Sequence, residues 1–152
     1  MSTDEVFMEE AIKQARIALE GDEVPIGAVL VRDGEIIARA YNKVEESKNP
    51  LAHAEMLILQ EIGLFNQGKW QPNLRLYVTL EPCIMCYGAI VLARIEYLIY
   101  GATDKKAGFS SFIKKRTGLN HVPYIIPNVH EEACSKLLID FFKSKRRGSR
   151  VV

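Results

Sequence analysis

The stretch Leu74-Arg75-Leu76-Tyr77-Val78-Thr79-Leu80 runs directly into Glu81-Pro82-Cys83-Ile84-Met85-Cys86, and a further apolar run spans Ile95 to Ala102. The first segment is rich in apolar and β-branched side chains and reads as a strand. Pro82 then opens a helix to about Ala93, at a position where its missing N–H costs nothing. Ile95 to Ala102 is the next strand. Strands separated by helices in this way imply an α/β fold with a mostly parallel or mixed sheet covered on both faces.

The rest of the chain fits around that unit. Asp4 to Leu19 places Phe7, Ala11, Ile12, Ala15, Ala18 and Leu19 on one helical face, with Ser2, Thr3 or Asp4 as N-cap and Gly21 past the end. Ile26 to Val31, the turn pair Asp33-Gly34 and Ile36 to Tyr41 predict an antiparallel hairpin. Pro50 breaks the chain before a second helix from about Ala52 to Ile62, with Met56, Leu59 and Ile62 inward and Gly63 at its end. Ser110 to Lys115 reads as a short helix or turn, and Tyr124 to Ile126 as a brief fifth strand. A final amphipathic helix spans about Glu131 to Lys145, with Ala133, Leu137, Leu138, Phe141 and Phe142 as its buried stripe.

A chain of 152 residues suits one domain, residues 1–152, with 146–152 expected as a basic flexible tail. The acidic start, with Asp4, Glu5, Glu9 and Glu10, resembles neither a secretory signal nor a basic transit peptide. No stretch approaches the roughly 20 apolar residues of a membrane span, so a cytoplasmic address is expected. Three cysteines do not make a disulfide framework. Cations cluster twice, at Lys105, Lys106, Lys114, Lys115 and Arg116, and at Lys143, Lys145, Arg146, Arg147 and Arg150. A polyanionic partner would use them, although a solvated helix end and a mobile tail would look the same by charge alone.

His53, Cys83 and Cys86 supply one imidazole and two thiols, the three protein ligands of a catalytic zinc site that leaves a fourth position for water. Glu55, two residues from His53, is placed to handle a proton of that water. Both halves fall at helix starts, where unpaired N–H groups and the helix dipole suit an oxyanion and favour thiolates. Competing readings are a thioredoxin-like redox pair, or a closed structural site with Cys134, His121 or His130 as fourth ligand. Cys134 reads more simply as a small buried apolar residue. Glu55 could be an ordinary N-terminal helix charge, and Asn42 an ordinary turn residue.

The His-x-Glu and Pro-Cys-x-x-Cys pair is the established signature of zinc nucleobase deaminases. Glu23-Val24-Pro25-Ile26-Gly27-Ala28, Asn42, Ala52-His53-Ala54-Glu55, Leu76 through Cys86, Gly101-Ala102 with Asp104, Leu119-Asn120-His121 and Phe141-Phe142 together resemble the bacterial tRNA-specific adenosine deaminases. That resemblance implies a three-layer α/β/α cytidine-deaminase-like sandwich with a mixed five-stranded sheet whose last two strands are parallel. It implies a homodimer, with one zinc per subunit, that binds a tRNA anticodon stem-loop. The reaction would be hydrolytic deamination of the wobble adenosine to inosine, with zinc-activated water attacking C6 of a flipped adenine.

By the same resemblance His53, Cys83 and Cys86 hold the metal and Glu55 carries the proton. Asn42 would bond the base, with Val24, Pro25, Ile26 and Ala54 around it. Asp104, Lys105, Lys106, Phe142, Lys145 and Arg146 would meet the RNA. Leu51 stands where family members usually carry threonine, and residues 108–112 depart from the usual glycine-serine-leucine pattern. The motif alone also admits a free-nucleobase or nucleoside deaminase of guanine or cytosine type, or an inactive zinc-containing RNA-binding subunit.

Overall fold

The computed structural model describes residues 1–114 and 118–150, with side chains to residue 147. Helix α1 (Thr3–Glu20) begins at Ser2, whose hydroxyl accepts from the Glu5 N–H while the Glu5 carboxylate accepts from the Ser2 N–H. This reciprocal cap satisfies two otherwise orphaned donors. Its inward face is Met8, Ala11, Ile12, Ala15 and Ala18. Leu19, expected on that face, is 38% exposed.

Strands β1 (Gly27–Arg32) and β2 (Glu35–Tyr41) form the expected antiparallel hairpin, closed by Asp33 and Gly34 with φ of 51° and 80°. Positive φ at both central residues matches the right-handed twist of the paired strands. β5 (Leu74–Leu80) pairs antiparallel with β1 and parallel with β6 (Tyr97–Ala102), which pairs parallel with β7 (Tyr124–Ile126). The order is β2-β1-β5-β6-β7, the mixed five-stranded sheet implied by the sequence.

Alternation along the strands divides the core between two faces. Ala28, Leu30, Leu76, Val78, Leu98 and Tyr100 point towards α3 (Ala54–Glu61) and α4 (Ile84–Leu92). Val29, Val31, Tyr77 and Ile99 point towards α1 and α5 (Glu131–Arg150). The result is three layers, helices–sheet–helices. Among the described residues no helix is long and apolar enough to cross a membrane.

Several boundaries differ from expectation. The second helix starts at Ala54 because Lys43 N–H donates to Ala52 O and His53 N–H donates to Leu51 O, holding the preceding segment extended. Ile58 and Leu59 are its buried apolar residues, whereas Met56 and Ile62 are only half-buried. Pro82 precedes the N-cap of α4, which is Cys83. The Ser110–Lys115 expectation resolves into a 3₁₀ turn, Phe109–Ser111; Lys115 and Arg116 lie outside the described residues.

On α5, Cys134 and Phe141 are buried, while Ala133 and Phe142 face outwards. The helix also continues beyond Lys145 to Arg150; the Arg150 side chain and residues 151–152 lie outside the description. Two elements were not anticipated. They are the single-turn α2 (Val44–Ser47) and a ribbon of β3 (Phe65–Asn66) and β4 (Lys69–Trp70), turned by Gln67 and Gly68 at positive φ.

Gly27 sets how closely α1 lies on the sheet, since a Cβ there would come within 2.2 Å of Ala11 O and 2.4 Å of Ala15 N. Gly21, at φ −89°, leaves its added Cβ at an ordinary 3.6 Å from Ala18 O. Gly27→Ala is therefore expected to lower unfolding free energy by about 1–3 kcal/mol, the usual cost of overpacking. Gly21→Ala should stay within about 0.5 kcal/mol. Urea denaturation of both variants checks the contrast.

Candidate active site and metal centre

The N-termini of α3 and α4 converge. His53 and Cys83 are the two N-cap residues, both with extended backbone, and Cys86 sits in the first turn of α4. His53 Nδ1 lies 3.6 Å from Cys83 Sγ and 3.4 Å from Cys86 Sγ, and the three ligand atoms fall within 4.8 Å of one another. Tetrahedral zinc, with bonds of about 2.3 Å to sulfur and about 2.0–2.1 Å to nitrogen, requires nitrogen–sulfur edges of about 3.6 Å. The donor set and its spacing fit zinc.

The closed structural-site reading loses its fourth ligand. His121 Nε2 bonds Ile95 O at 2.6 Å and His130 Nε2 bonds Glu5 O at 3.2 Å. Cys134 is 1% exposed, and a Cβ on Gly101 would lie 2.4 Å from its sulfur. It is a packing residue, and burial pushes its thiol up to about 12.

Four titratable groups crowd this site. The hydrogen bond from Cys86 pulls the Cys83 thiol down to about 4, whereas that same bond and burial hold the Cys86 thiol well above its ordinary range. The His53 imidazole is raised, chiefly by its bond to Cys83. Glu55, 4% exposed in the first turn of α3, is pushed up to about 7 by burial, against the pull of its own backbone N–H and of His53. Two sulfurs that cannot both ionise beside a carboxylate can do so around a divalent ion.

A cavity of about 200 Å³ adjoins the metal centre, with His53, Ala54, Asn42, Val24 and Ile26 in its wall. Asn42 is 5% exposed; its Nδ2 donates to Val24 O and its Oδ1 accepts from the Val44 N–H, both at 3.3 Å. Pro25, expected in this wall, is buried behind it, in a tight turn where Ile26 N–H donates to Val24 O. Val24 also borders a groove of about 430 Å³ that contains Asp104, Lys105, Lys106 and Phe142. Arg146 joins Asp104, Lys106 and Phe142 around a neighbouring depression.

Lys145 stands apart, ion-paired with Asp22 at 2.5 Å. With side chains 49% and 75% exposed, that pair is worth at most about 1 kcal/mol and does not bar a phosphate contact.

Glu23, quoted above only as part of a family-like segment, had no role assigned from sequence. It is 3% exposed, and its two carboxylate oxygens accept from the N–H groups of Glu45 and Glu46. It thereby caps α2 from across the cavity, where Lys43 provides no side-chain cap. An acid wedged between a helix end and an apolar strand was the available signal.

By fold and site the chain belongs to the cytidine and deoxycytidylate deaminase family, whose zinc-binding region matches residues 1–102. Within that family it is similar to tRNA-specific adenosine deaminases. The Bacillus subtilis (strain 168) protein is 46% identical over 154 residues, covering 99% of this chain and 95% of that one. The Aquifex aeolicus (strain VF5) protein is 48% identical over 147 residues, covering 95% and 97%. A structure solved in work on A-to-I editing by tRNA:A34 deaminases at the wobble position superimposes with a TM-score of 0.76 at 43% identity. That match covers 87% of this chain and 98% of the other.

A thiol at about 4 remains thiolate at any higher pH. In metal-free protein, iodoacetamide is expected to label Cys83 first, at a rate flat between pH 6 and 8, and to leave Cys134 untouched. Stoichiometric zinc should abolish the labelling, as read by peptide mass spectrometry.

Proposed function

We propose that this chain deaminates adenosine to inosine at the wobble position of a tRNA anticodon. The observation that carries the reading is Val24, which borders both a compact cavity beside the metal ligands and a groove containing Asp104, Lys105, Lys106 and Phe142. A flipped base would enter the first while its neighbouring nucleotides lie in the second. Similarity to the tRNA-specific adenosine deaminases along nearly the whole chain supports the same substrate.

Zinc, when bound, lowers the pKa of water from about 15.7 towards 7 and so supplies a nucleophile at neutral pH. His53, Cys83 and Cys86 would hold the metal; Glu55 would take one proton from water and give it to N1 of adenine, then take the proton of the new C6 hydroxyl and give it to the leaving amine. Adenosine and water thus give inosine and ammonia. Burial raises the Glu55 carboxyl above the ordinary carboxylate range, which favours a group that holds and returns a proton. Asn42, with both amide ends already tied to backbone, presents a fixed edge to the base, and Val24, Ile26 and Ala54 close around it.

Lys105, Lys106, Lys145 and Arg146 contact the phosphates, which sets affinity without choosing the base. Residues 1–152 act as one domain, as a homodimer in the cytoplasm. Leu51 and Ile84, apolar and 55% and 53% exposed beside the metal ligands, support a second copy covering that face.

The deciding assay supplies an anticodon stem-loop, a matched loop lacking the wobble adenosine, and free nucleobases and nucleosides, and measures inosine and ammonia. Inosine from the first alone is expected. Turnover only of free bases or nucleosides overturns the substrate, and binding without turnover overturns the enzyme.

Glu55→Ala should retain zinc and lose about 100- to 10,000-fold in rate; full activity in a zinc-loaded variant sinks its role. Replacing Lys145 and Arg146 together should lower the slope of log affinity against log salt by about 1.4, from about 0.7 per phosphate contact on single-stranded RNA. An unchanged slope removes both from the RNA interface.

A further inference from the structure

Glu81 follows the last residue of β5 and immediately precedes Pro82-Cys83, and it is 2% exposed. No ion pair to it occurs among the described residues. Its carboxylate instead accepts from the Asp104 N–H at 3.1 Å, the Ser110 N–H at 2.9 Å and the Ser110 hydroxyl at 2.7 Å. A buried charge without partners would be costly, so three charge-assisted bonds to one loop make that loop's conformation the condition for burying Glu81.

The loop closes tightly on the carboxylate. A Cβ at Gly108 would lie 2.3 Å from Glu81 Cδ and 2.4 Å from Asp104 O, so only glycine passes there. Asp104 turns the loop by accepting from the Lys106 and Ala107 N–H groups, which leaves Lys105 and Lys106 exposed at its tip. The far side of the loop is fastened to the metal centre. Gly108 bridges to Cys83, Phe109 N–H donates to Pro82 O at 2.8 Å, and the Phe109 ring stacks on Tyr87, next to Cys86. One carboxylate thus grips the entry and the exit of a loop whose tip lines the groove and whose base touches a metal ligand.

We propose that Glu81 is a positioning residue that sets the 104–107 loop at a fixed distance from the metal centre, so that the nucleotides beside the target are held while the base occupies its cavity. The assignment rests on the tRNA reading above. Removing one oxygen acceptor would loosen the loop without removing any group that touches base or metal. Geometry lost at a binding loop appears in KM when the reacting groups remain in place.

The test compares Glu81→Gln and Ser110→Ala with wild type, measuring zinc content, melting temperature, and kcat and KM on an anticodon stem-loop. KM is expected to rise about ten-fold for Glu81→Gln and about three-fold for Ser110→Ala, with zinc at one per chain. In a chain already carrying Lys105→Ala and Lys106→Ala, both effects should largely disappear, because the loop then has little left to position.

A merely structural role lowers melting temperature and the active fraction but leaves KM alone. Unchanged KM in both variants, or a rise undiminished in the lysine-free background, overturns the assignment. Should Glu81→Gln fail to fold, Ser110→Ala decides by the same criteria. Wild-type protein that leaves the stem-loop adenosine intact overturns the substrate reading and this assignment with it; wild-type turnover with unmoved KM in the variants overturns the assignment alone.

Discussion

Two helix starts have to meet at one point, and much of the molecule serves that requirement. His53 and Cys83 are N-caps of helices that pack on the same face of the sheet, and neither side chain caps its own helix. Each gives up the hydrogen bond an N-cap side chain ordinarily makes, typically worth about 1 kcal/mol, and turns its donor atom towards the other helix. The loss is tolerable because α3 and α4 are held by apolar burial: Ile58, Tyr87 and Ile90 are almost fully buried against Leu30, Leu76 and Leu98. Tertiary packing, not local capping, places the ligands.

The same convergence sets the protonation preferences of neighbouring groups against one another. Two thiols, an imidazole and the Glu55 carboxyl share this site, with Cys86 and Glu55 buried and His53 and Cys83 half-buried, and their protonation preferences conflict. Around zinc the sulfurs ionise together, and the conflict that remains falls on Glu55. Its burial at the head of α3 raises that carboxyl above the ordinary carboxylate range, against the pull of His53.

Much of this was legible in the sequence where the cause was local. Leu74–Leu80 and Tyr124–Ile126 appear at their expected bounds because an apolar run and flanking turn residues fix a strand within its own few residues. Ser2 and Asp33-Gly34 carry their signals in neighbouring side chains, and the ligand triad in two short motifs, His53-x-Glu55 and Pro82-Cys83-x-x-Cys86. What stayed hidden depends on distant partners. Helix α2 has four residues; its Val44 N–H is taken by Asn42, and its Glu45 and Glu46 N–H groups by Glu23, more than twenty positions earlier. Phe142 has the helical spacing of a core residue, yet it is 45% exposed beside the Asp104 groove, since Cys134 fitting against Gly101 sets the rotation of α5.

Chemistry and selection consequently reside on different parts of the scaffold. The metal centre belongs to α3 and α4, on one face of the sheet. The groove is built from the loop after β6 and from α5, which covers the opposite face, and Val24 between α1 and β1 joins groove to cavity. Substitutions on the exposed side of α5 can change the groove without disturbing a sulfur or the imidazole. The loop is different, because Glu81, Pro82 and Cys83 bind it at 104, 108, 109 and 110. Its exposed tip can vary in side chain, but its path cannot shift without pulling on the residue that starts α4. The loop is therefore coupled mechanically to the metal-ligating end of α4, whereas the exposed side of α5 has no such bond among the described residues.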